Sequence, residues 1–239
     1  MGDILLHEAE QINFSQQQHV FSEGDKAQID SWWQEFTSDK PYMFNGQLLA
    51  CKKAILTDSS KIGIDWYLTN YAHYLLRFKE GSTITPARAM YCAVILMTTS
   101  GKIVVGKMSN ATSLPTRLQL PGGNLELFEN STLSMQNCFD SACMELKEEV
   151  GITLQPEELA LWSVKTGGDF DDVGLFFVAQ KRVSEDFITS AFNQHISALK
   201  QANEKPELTH IYFVDKSDDL NVYADTWVDY LPVVMEKFF

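Results

Sequence analysis

Three glutamates lie close together near the middle of the chain, in the stretch ACMELKEEVGI that spans residues 142–152. Glu145, Glu148 and Glu149 are three and four residues apart, so they share one face if the stretch is a helix. Carboxylates on adjacent helical turns repel one another, and clusters of such oxygens bind hard cations such as Mg²⁺. The spacing therefore predicts either a divalent metal site on a helix or a solvated, charged helical face.

A glycine-containing loop precedes this predicted helix, in the stretch LPGGNLELFE at residues 120–129. Pro121, Gly122 and Gly123 end a short predicted strand with a tight backbone. Glycine permits a close approach that a side chain would block. We therefore expect a backbone carbonyl of this loop to reach a metal that the helix holds.

Together, PGGNLELFE and MELKEEVGI resemble the Nudix box, whose pattern is G-x5-E-x7-R-E-U-x-E-E-x-G-U with U an aliphatic residue. Gly123 and Glu129 fit the first spacing. Every fixed position after the pattern's Arg is also matched, by Glu145, Leu146, Glu148, Glu149, Gly151 and Ile152. The resemblance covers roughly residues 90–214. It implies an α/β/α sandwich with a mixed sheet, preceded here by a small α/β N-terminal extension.

Two features depart from the family pattern. Fourteen residues separate Glu129 from position 144, where the pattern has seven, and position 144 is Met144 where the pattern has Arg. The extra residues amount to about two helical turns, so they can lengthen the helix or the loop without rotating the glutamates away from their face. In the family that Arg pairs with the first glutamate of the box, so Glu129 lacks its usual partner here.

The resemblance implies an enzyme that hydrolyses a diphosphate linked to another group, with Mg²⁺ or Mn²⁺ as cofactor. The implied metal ligands are Glu145, Glu148, Glu149 and the carbonyl of Gly123, and the implied catalytic residues are Glu148, Glu149 and Glu207. Glu207 is the candidate carboxylate from a later loop, although an exposed loop glutamate is the simpler interpretation. The candidate substrate-binding residues are Lys107, Arg117 and Gly122, and the two cations are equally compatible with ordinary surface positions.

For the substrate, the stretches YMFNGQLLACKKAI and YLTNYAHYLL, followed by an enlarged box without its Arg, loosely resemble the UDP-glucose pyrophosphatase branch of the family. That likeness implies UDP-glucose as substrate, with UMP and glucose 1-phosphate as products. A hydrolase of ADP-ribose or dinucleotides is an alternative. So is a catalytically weakened Nudix domain that binds a nucleotide or joins a complex, an interpretation that the missing Arg favours.

Composition limits the partners. Nineteen basic and 32 acidic residues give a formal net charge of −13, which disfavours nucleic acid and anionic membranes as partners. The four cysteines show no metal-ligand spacing, and the longest apolar run, YCAVILM, is too short to span a bilayer. We therefore expect a cytoplasmic protein with reduced thiols and a small-molecule partner, and the oligomeric state is left open.

The segment KEGSTITPA, residues 79–87, suggests a boundary between an N-terminal extension at 1–86 and a Nudix domain at 87–239, with the extension packed on the domain. Within the extension the residue patterns predict helices at 25–36 and 65–78 and an extended segment at 47–56. Its aromatic residues, Trp32, Trp33, Trp66 and nearby tyrosines, are interpreted as core, with a base-stacking platform as the alternative.

Alternating apolar residues in the second part predict strands at 90–99, 102–108, 117–120, 159–164, 174–183 and 210–215. Helices are predicted for the glutamate stretch, for 185–200 and within 224–239. Strands and helices intermixed in this way predict a layered α/β fold.

Overall fold

The computed structural model describes residues 2–41, 43–58, 60–110, 112, 114–128, 132–216 and 218–239. The strands are β1 (Leu5–His7), β2 (Gln11–Gln16), β3 (Gln47–Asp58), β4 (Lys61–Asn70), β5 (Met90–Ile95), β6 (Ile103–Met108), β7 (Leu118–Gln119), β8 (Leu159–Thr166), β9 (Val173–Ala179) and β10 (Leu208–Val214). The helices are α1 (Glu23–Phe36), α2 (Tyr71–Leu75), α3 (Met135–Val150), α4 (Glu185–Gln201) and α5 (Tyr230–Phe238).

The strands form three sheets, with orders β1-β8-β9-β5, β10-β6-β7 and β2-β4-β3. Pairing in the four-stranded sheet is mixed, because β5 runs parallel to β9 while β8 runs antiparallel to both β1 and β9. The predicted α/β class with a mixed sheet is confirmed.

Alternation along β5 and β9 gives the central sheet two buried faces. Cys92 and Val94 of β5 lie in one apolar cluster with Leu146 of α3. Ala93, between them, lies in a second cluster with Leu231 of α5. The sheet is therefore covered by α3 on one face and by α5 on the other, which is an α/β/α sandwich.

The N-terminal part packs against this core at several places, two of which are described here. β1 adds to the edge of the central sheet, where Leu6 pairs with Lys165 of β8. Trp66 of β4 is buried in the same apolar cluster as Met90 and Leu146. The division between residues 86 and 87 stays a prediction. The parts on either side of it pack against each other through buried residues.

The helix predicted over residues 65–78 is wrong in its first half. Residues up to Asn70 belong to β4, and helix α2 covers only Tyr71–Leu75. In β4, Ile62, Ile64 and Trp66 alternate into the core, and the strand pairs on one edge with β2 and on the other with β3. A period of two with both edges paired excludes a helix there.

Two further findings concern the described residues. The four cysteines, all of which lie within the described part of the chain, form no disulfide. Among the same described residues, no helix has the length and apolar character needed to cross a membrane.

Candidate active site

Helix α3, which carries the glutamates, is fixed at both ends by its own sequence. The Ser134 side chain accepts a hydrogen bond from the backbone N–H of Asn137, and the Asn137 side chain accepts one from the backbone N–H of Ser134. At the other end Gly151 adopts a left-handed conformation with φ of 77°, which favours glycine. Nine residues of the helix precede Met144, so α3 begins more than two turns before the glutamates.

The three glutamates differ in exposure, so the alternative of one solvated, charged helical face is wrong. Glu149 is buried, with 2% of its surface exposed, whereas Glu145 is half-buried and Glu148 is exposed. Glu149 follows Leu146 by three residues and Ala142 by seven, so it lies on the helical face that packs against the sheet. Its carboxylate therefore points into the fold.

Gly122 binds the buried carboxylate directly. The backbone N–H of Gly122 donates to Oε2 of Glu149 at 2.7 Å. Gly122 has a φ of 153°, and a Cβ at this position would collide with the carbonyl oxygen of Cys92. Only glycine allows the loop to approach both β5 and α3 so closely.

Gly123 lies against the half-buried Glu145. A Cβ at Gly123 would collide with the carboxylate of Glu145. Its carbonyl oxygen, which the sequence assigned to a metal, accepts a hydrogen bond of 2.9 Å from the backbone N–H of Cys92. In this structure Gly123 therefore makes room for the Glu145 carboxylate, while its carbonyl joins the loop to β5.

Burial and mutual repulsion shift the ionisation of these carboxylates. Burial, followed by the charge of Glu145, raises the pKa of Glu149 well above its ordinary value. Burial, followed by the charges of Glu207, Glu148 and Glu126, raises the pKa of Glu145 to about 8. Glu207 is exposed overall, but partial desolvation of its carboxyl group, followed by the charge of Glu148, also raises its pKa. These carboxylates are therefore close enough to repel one another.

One carboxylate oxygen of Glu149 is suited to bind a cation. Oε1 is buried and has no hydrogen-bond partner among the described residues, which is costly for a charged group unless a positive charge compensates it. Across the described ranges, however, no three Asp, Glu, His or Cys side chains come close enough together to hold a metal ion. The buried pair of Glu145 and Glu149 suits a divalent metal, but the complete set of ligands is not assembled.

A pocket of about 500 Å³ adjoins the glycine loop. Gly122, Gly123 and Glu207 line it, and the backbone carbonyl of Glu207 accepts a hydrogen bond of 2.7 Å from the N–H of Ser109. The volume is in the range of small-molecule sites. A larger groove of about 670 Å³ follows α4, but of the described residues that line it Asp186 is the only charged one, so we assign the site to the smaller pocket.

The two candidate cations have different positions. Arg117 lines the pocket, donates to the Gln119 side chain at 3.1 Å and has a buried Nε without a partner among the described residues. Lys107 does not line the pocket; it donates to the Tyr223 carbonyl at 3.2 Å. The pocket-lining residue on this strand is Met108, and successive side chains of a strand point to opposite faces. Of these two candidate cations, Arg117 is the one that lines the pocket.

The other residues that line the pocket were not predicted from the sequence as site residues. They include Tyr71, Tyr74, Lys165, Phe170, Trp227 and Tyr230. These residues come from α2, β8, the loop after β8 and the segment before and including the start of α5. No local motif signals them, because folding over long sequence separations brings them together. Glu129, the first glutamate of the box, lies outside the described residues.

No protein-family model matches the chain, and no curated protein matches it either. The solved structures similar to it include Nudix proteins. A MutT Nudix hydrolase from Burkholderia pseudomallei is 17% identical over 63% of this chain and 97% of that one, with a TM-score of 0.41. NrtR from Shewanella oneidensis is 14% identical over 62% of this chain and 60% of that one, with a TM-score of 0.40.

A bifunctional NMN adenylyltransferase/ADP-ribose pyrophosphatase from Francisella tularensis, in complex with AMP and a manganese ion, is also similar to this chain. It is 12% identical over 67% of this chain and 44% of that one, with a TM-score of 0.41. Similarity at this level carries no argument about activity. The function is therefore inferred from the box residues and from the geometry of the pocket.

Proposed function

We propose that the chain is a metal-dependent pyrophosphohydrolase of the Nudix family that acts on a nucleoside diphosphate joined to another group. One observation carries this proposal: the buried Glu149 carboxylate is held by the Gly122 amide and keeps one unpartnered oxygen among the described residues. Glu149 is the last glutamate of the box motif, and its hydrogen-bond partner Gly122 lines the pocket together with Arg117. A structural glutamate would not need an unpaired buried oxygen at such a place.

In this proposal Glu145 and Glu149 hold Mg²⁺ or Mn²⁺, with Glu148 and Glu207 as further ligands. A bound divalent ion would neutralise charge on phosphoryl oxygens and lower the pKa of a coordinated water. The Gly122 N–H orients the Glu149 carboxylate, and the missing side chain of Gly123 leaves space for Glu145. Arg117 supplies positive charge for the diphosphate, at a position where its Nε lacks a partner among the described residues.

The proposed substrate is UDP-glucose, which water would cleave to UMP and glucose 1-phosphate. The pocket volume of about 500 Å³ suits a ligand of nucleotide size. Many ADP-ribose hydrolases of the family have a proline about sixteen residues past the box, but Gly167 and Gly168 are found in this region of the chain. The enlarged box without its Arg also favours the UDP-glucose branch.

A nucleotide-binding module without catalysis is the second candidate. Met144 replaces the Arg of the box, which favours this candidate. The absence of a close group of three carboxylates within the described residues favours the same alternative. Such a module would bind the nucleotide in this pocket and release it unchanged.

A product screen separates the two candidates. Purified protein is incubated with nucleotide sugars, dinucleotides and nucleoside triphosphates, each with Mg²⁺ and with a chelator. We expect Mg²⁺-dependent cleavage of nucleotide sugars, with UDP-glucose among the best. Binding of UDP without turnover of any diphosphate would overturn the enzyme proposal in favour of the binding module.

A further inference from the structure

A buried lysine forms part of the pocket lining. Lys165 of β8 lines the pocket, yet only 2% of its side chain is exposed. Its Nζ donates to the backbone carbonyl of Asp172 at 3.2 Å and lies 3.6 Å from Oδ2 of Asp229, with which it forms an ion pair. Lysine is almost never fully buried unless it is paired. The ion pair therefore accounts for the burial of this cation, and it holds the Asp229 carboxylate beside it.

Asp229 occupies the N-cap position of α5 but does not cap that helix. Aspartate is a preferred N-cap residue because its side chain accepts from the first free N–H groups of a helix. The Asp229 side chain makes no such bond. Its Oδ2 accepts instead from the backbone N–H of Asp169 at 2.9 Å, in the loop after β8. The carboxylate is thereby directed toward this loop and Lys165 rather than toward its own helix.

Only one oxygen of this carboxylate is used within the fold. The hydrogen bond and the ion pair that Asp229 makes to described residues both involve Oδ2. Gly168 leaves room for that oxygen, because a Cβ at this glycine would collide with Oδ2 of Asp229. The Asp229 side chain is 20% exposed and lines the pocket. Oδ1 thus keeps its capacity to accept a hydrogen bond from a ligand.

The charges next to Asp229 disfavour a phosphate and favour a hydroxyl group. Asp169, whose backbone binds Asp229, also lines the pocket and adds a second negative charge. Lys165 offsets one of these charges, whereas the guanidinium of Arg77 is engaged by Asp172 through two bonds of 3.0 Å. An anion would be repelled here. A carboxylate only accepts hydrogen bonds, so a neutral group that donates, such as a hydroxyl, satisfies it.

We propose that Asp229, held by Lys165 and by the Asp169 N–H, accepts hydrogen bonds from the hydroxyl groups of a sugar ring in the substrate. This inference rests on the proposed function, because it assigns to the same pocket the residue that selects a hydroxylated substrate. A site built to bond a hydroxyl group rejects an analogue that lacks it. The hexose and the ribose of a nucleotide sugar both carry such groups, and the experiment separates the two sources.

The test compares three phosphate monoesters by ligand-observed NMR titration with Mg²⁺ present: glucose 1-phosphate, ribose 5-phosphate and methyl phosphate, which has no sugar. We expect the wild-type protein to bind at least one sugar phosphate about tenfold more tightly than methyl phosphate. Asp229→Asn should weaken binding of that sugar phosphate about tenfold and leave methyl phosphate binding unchanged. Asp225→Asn, which removes an exposed carboxylate of the same segment outside the pocket lining, is the matched control. If Asp229→Asn fails to fold, Asp229→Glu, which keeps the charge but moves the carboxylate, makes the same comparison.

The outcomes separate this inference from the proposed function. Sugar phosphates that bind the wild type no more tightly than methyl phosphate, or a preference that Asp229→Asn retains, would overturn the inference. Equal weakening of all three ligands would show a structural role and overturn it as well. Selective loss of glucose 1-phosphate assigns the hexose to Asp229, and selective loss of ribose 5-phosphate assigns the ribose. Such a loss without turnover of any diphosphate would overturn the enzyme proposal alone, and turnover with an unchanged preference would overturn this inference alone.

Discussion

The carboxylate of Glu149 accepts a hydrogen bond of 2.7 Å from the backbone N–H of Gly122, and this bond joins the glycine loop to helix α3. The loop is also joined to β5, because Cys92 and Val94 donate to the carbonyls of Gly123 and Pro121. Glu149 is thereby held in one orientation at the point where the sheet, the loop and the helix meet.

Glu149→Gln should reduce Mg²⁺-dependent turnover by more than about a hundredfold, about 2.7 kcal/mol of transition-state stabilisation. The amide oxygen of glutamine can still accept the Gly122 bond, and glutamine is neutral at this buried position without binding a proton or a cation. We therefore expect the melting temperature in chelator to be equal to that of the wild type or higher. Asp140→Asn is the matched control, since its side chain accepts from Gln136 at an exposed position on the same helix. Full activity in Glu149→Gln would refute the role of this carboxylate.

The two loop glycines should respond differently to alanine. In Gly122→Ala the new Cβ would meet the backbone carbonyl of Cys92 at a φ of 153°, so we expect a loss of about 1–3 kcal/mol in unfolding free energy. In Gly123→Ala the Cβ would meet the movable carboxylate of Glu145 instead. That variant should lose less stability but more activity per folded molecule. Urea denaturation and turnover, measured together, check this; the reverse order of stabilities would contradict it.

Helix α3 was predictable from local signals. Ser134 begins it, Gly151 ends it, and Ala142, Leu146 and Val150 give its apolar face a helical period. The same period places Glu149 on that buried face, so its burial was also readable from the sequence. The three-residue and four-residue spacings alone do not distinguish a buried metal site from a solvated, charged helical face.

Other parts of the fold depend on distant residues. β4 was mistaken for a helix because the predicted segment began at Asp65, after Ile62 and Ile64, which establish the alternation. The pairing of β1 joins Leu6 to Lys165, and no local pattern predicts such a contact. The pocket wall at Tyr71 likewise depends on long-range packing.

Arg77 and Asp172 form a buried ion pair of 3.0 Å, with side chains only 6% and 11% exposed, and breaking it from one side should be strongly destabilising. Arg77→Met or Asp172→Asn leaves a buried partner uncompensated, and such losses are about 3–5 kcal/mol. The combined variant should lose less than the sum of the two, because neither charge then remains unpaired. Urea unfolding of the four proteins in this cycle measures the coupling. Additive losses would show that the pair does not act as a unit.

Without metal, stability should fall as the pH rises through the neutral range. Glu145 has a pKa of about 8 in the fold against an ordinary value of 4.5, so the folded state binds its proton more tightly than the unfolded chain does. The stability that protonated Glu145 contributes is fully present below about pH 4.5 and is lost as the pH rises to about 8. Over this range the free energy of unfolding falls by no more than about 1.4 kcal/mol per pH unit.

Glu145→Gln isolates this effect, because glutamine does not titrate. In chelator, the stability of Glu145→Gln relative to the wild type should increase between pH 5 and pH 8. Urea midpoints at several pH values provide the measurement, with Asp140→Asn as the control on the same helix. A difference between the two proteins that does not change with pH would contradict the burial of this carboxylate.

The most direct test is the chemistry at Glu149. Wild-type protein and Glu149→Gln are incubated with UDP-glucose, with Mg²⁺ and with chelator, and the products are identified by mass spectrometry. We predict that the wild type with Mg²⁺ releases UMP and glucose 1-phosphate in equal amounts, and that chelator or the substitution stops the reaction. The absence of cleavage of UDP-glucose and of every other diphosphate tested, or equal cleavage by the variant, would contradict a catalytic metal site at Glu149.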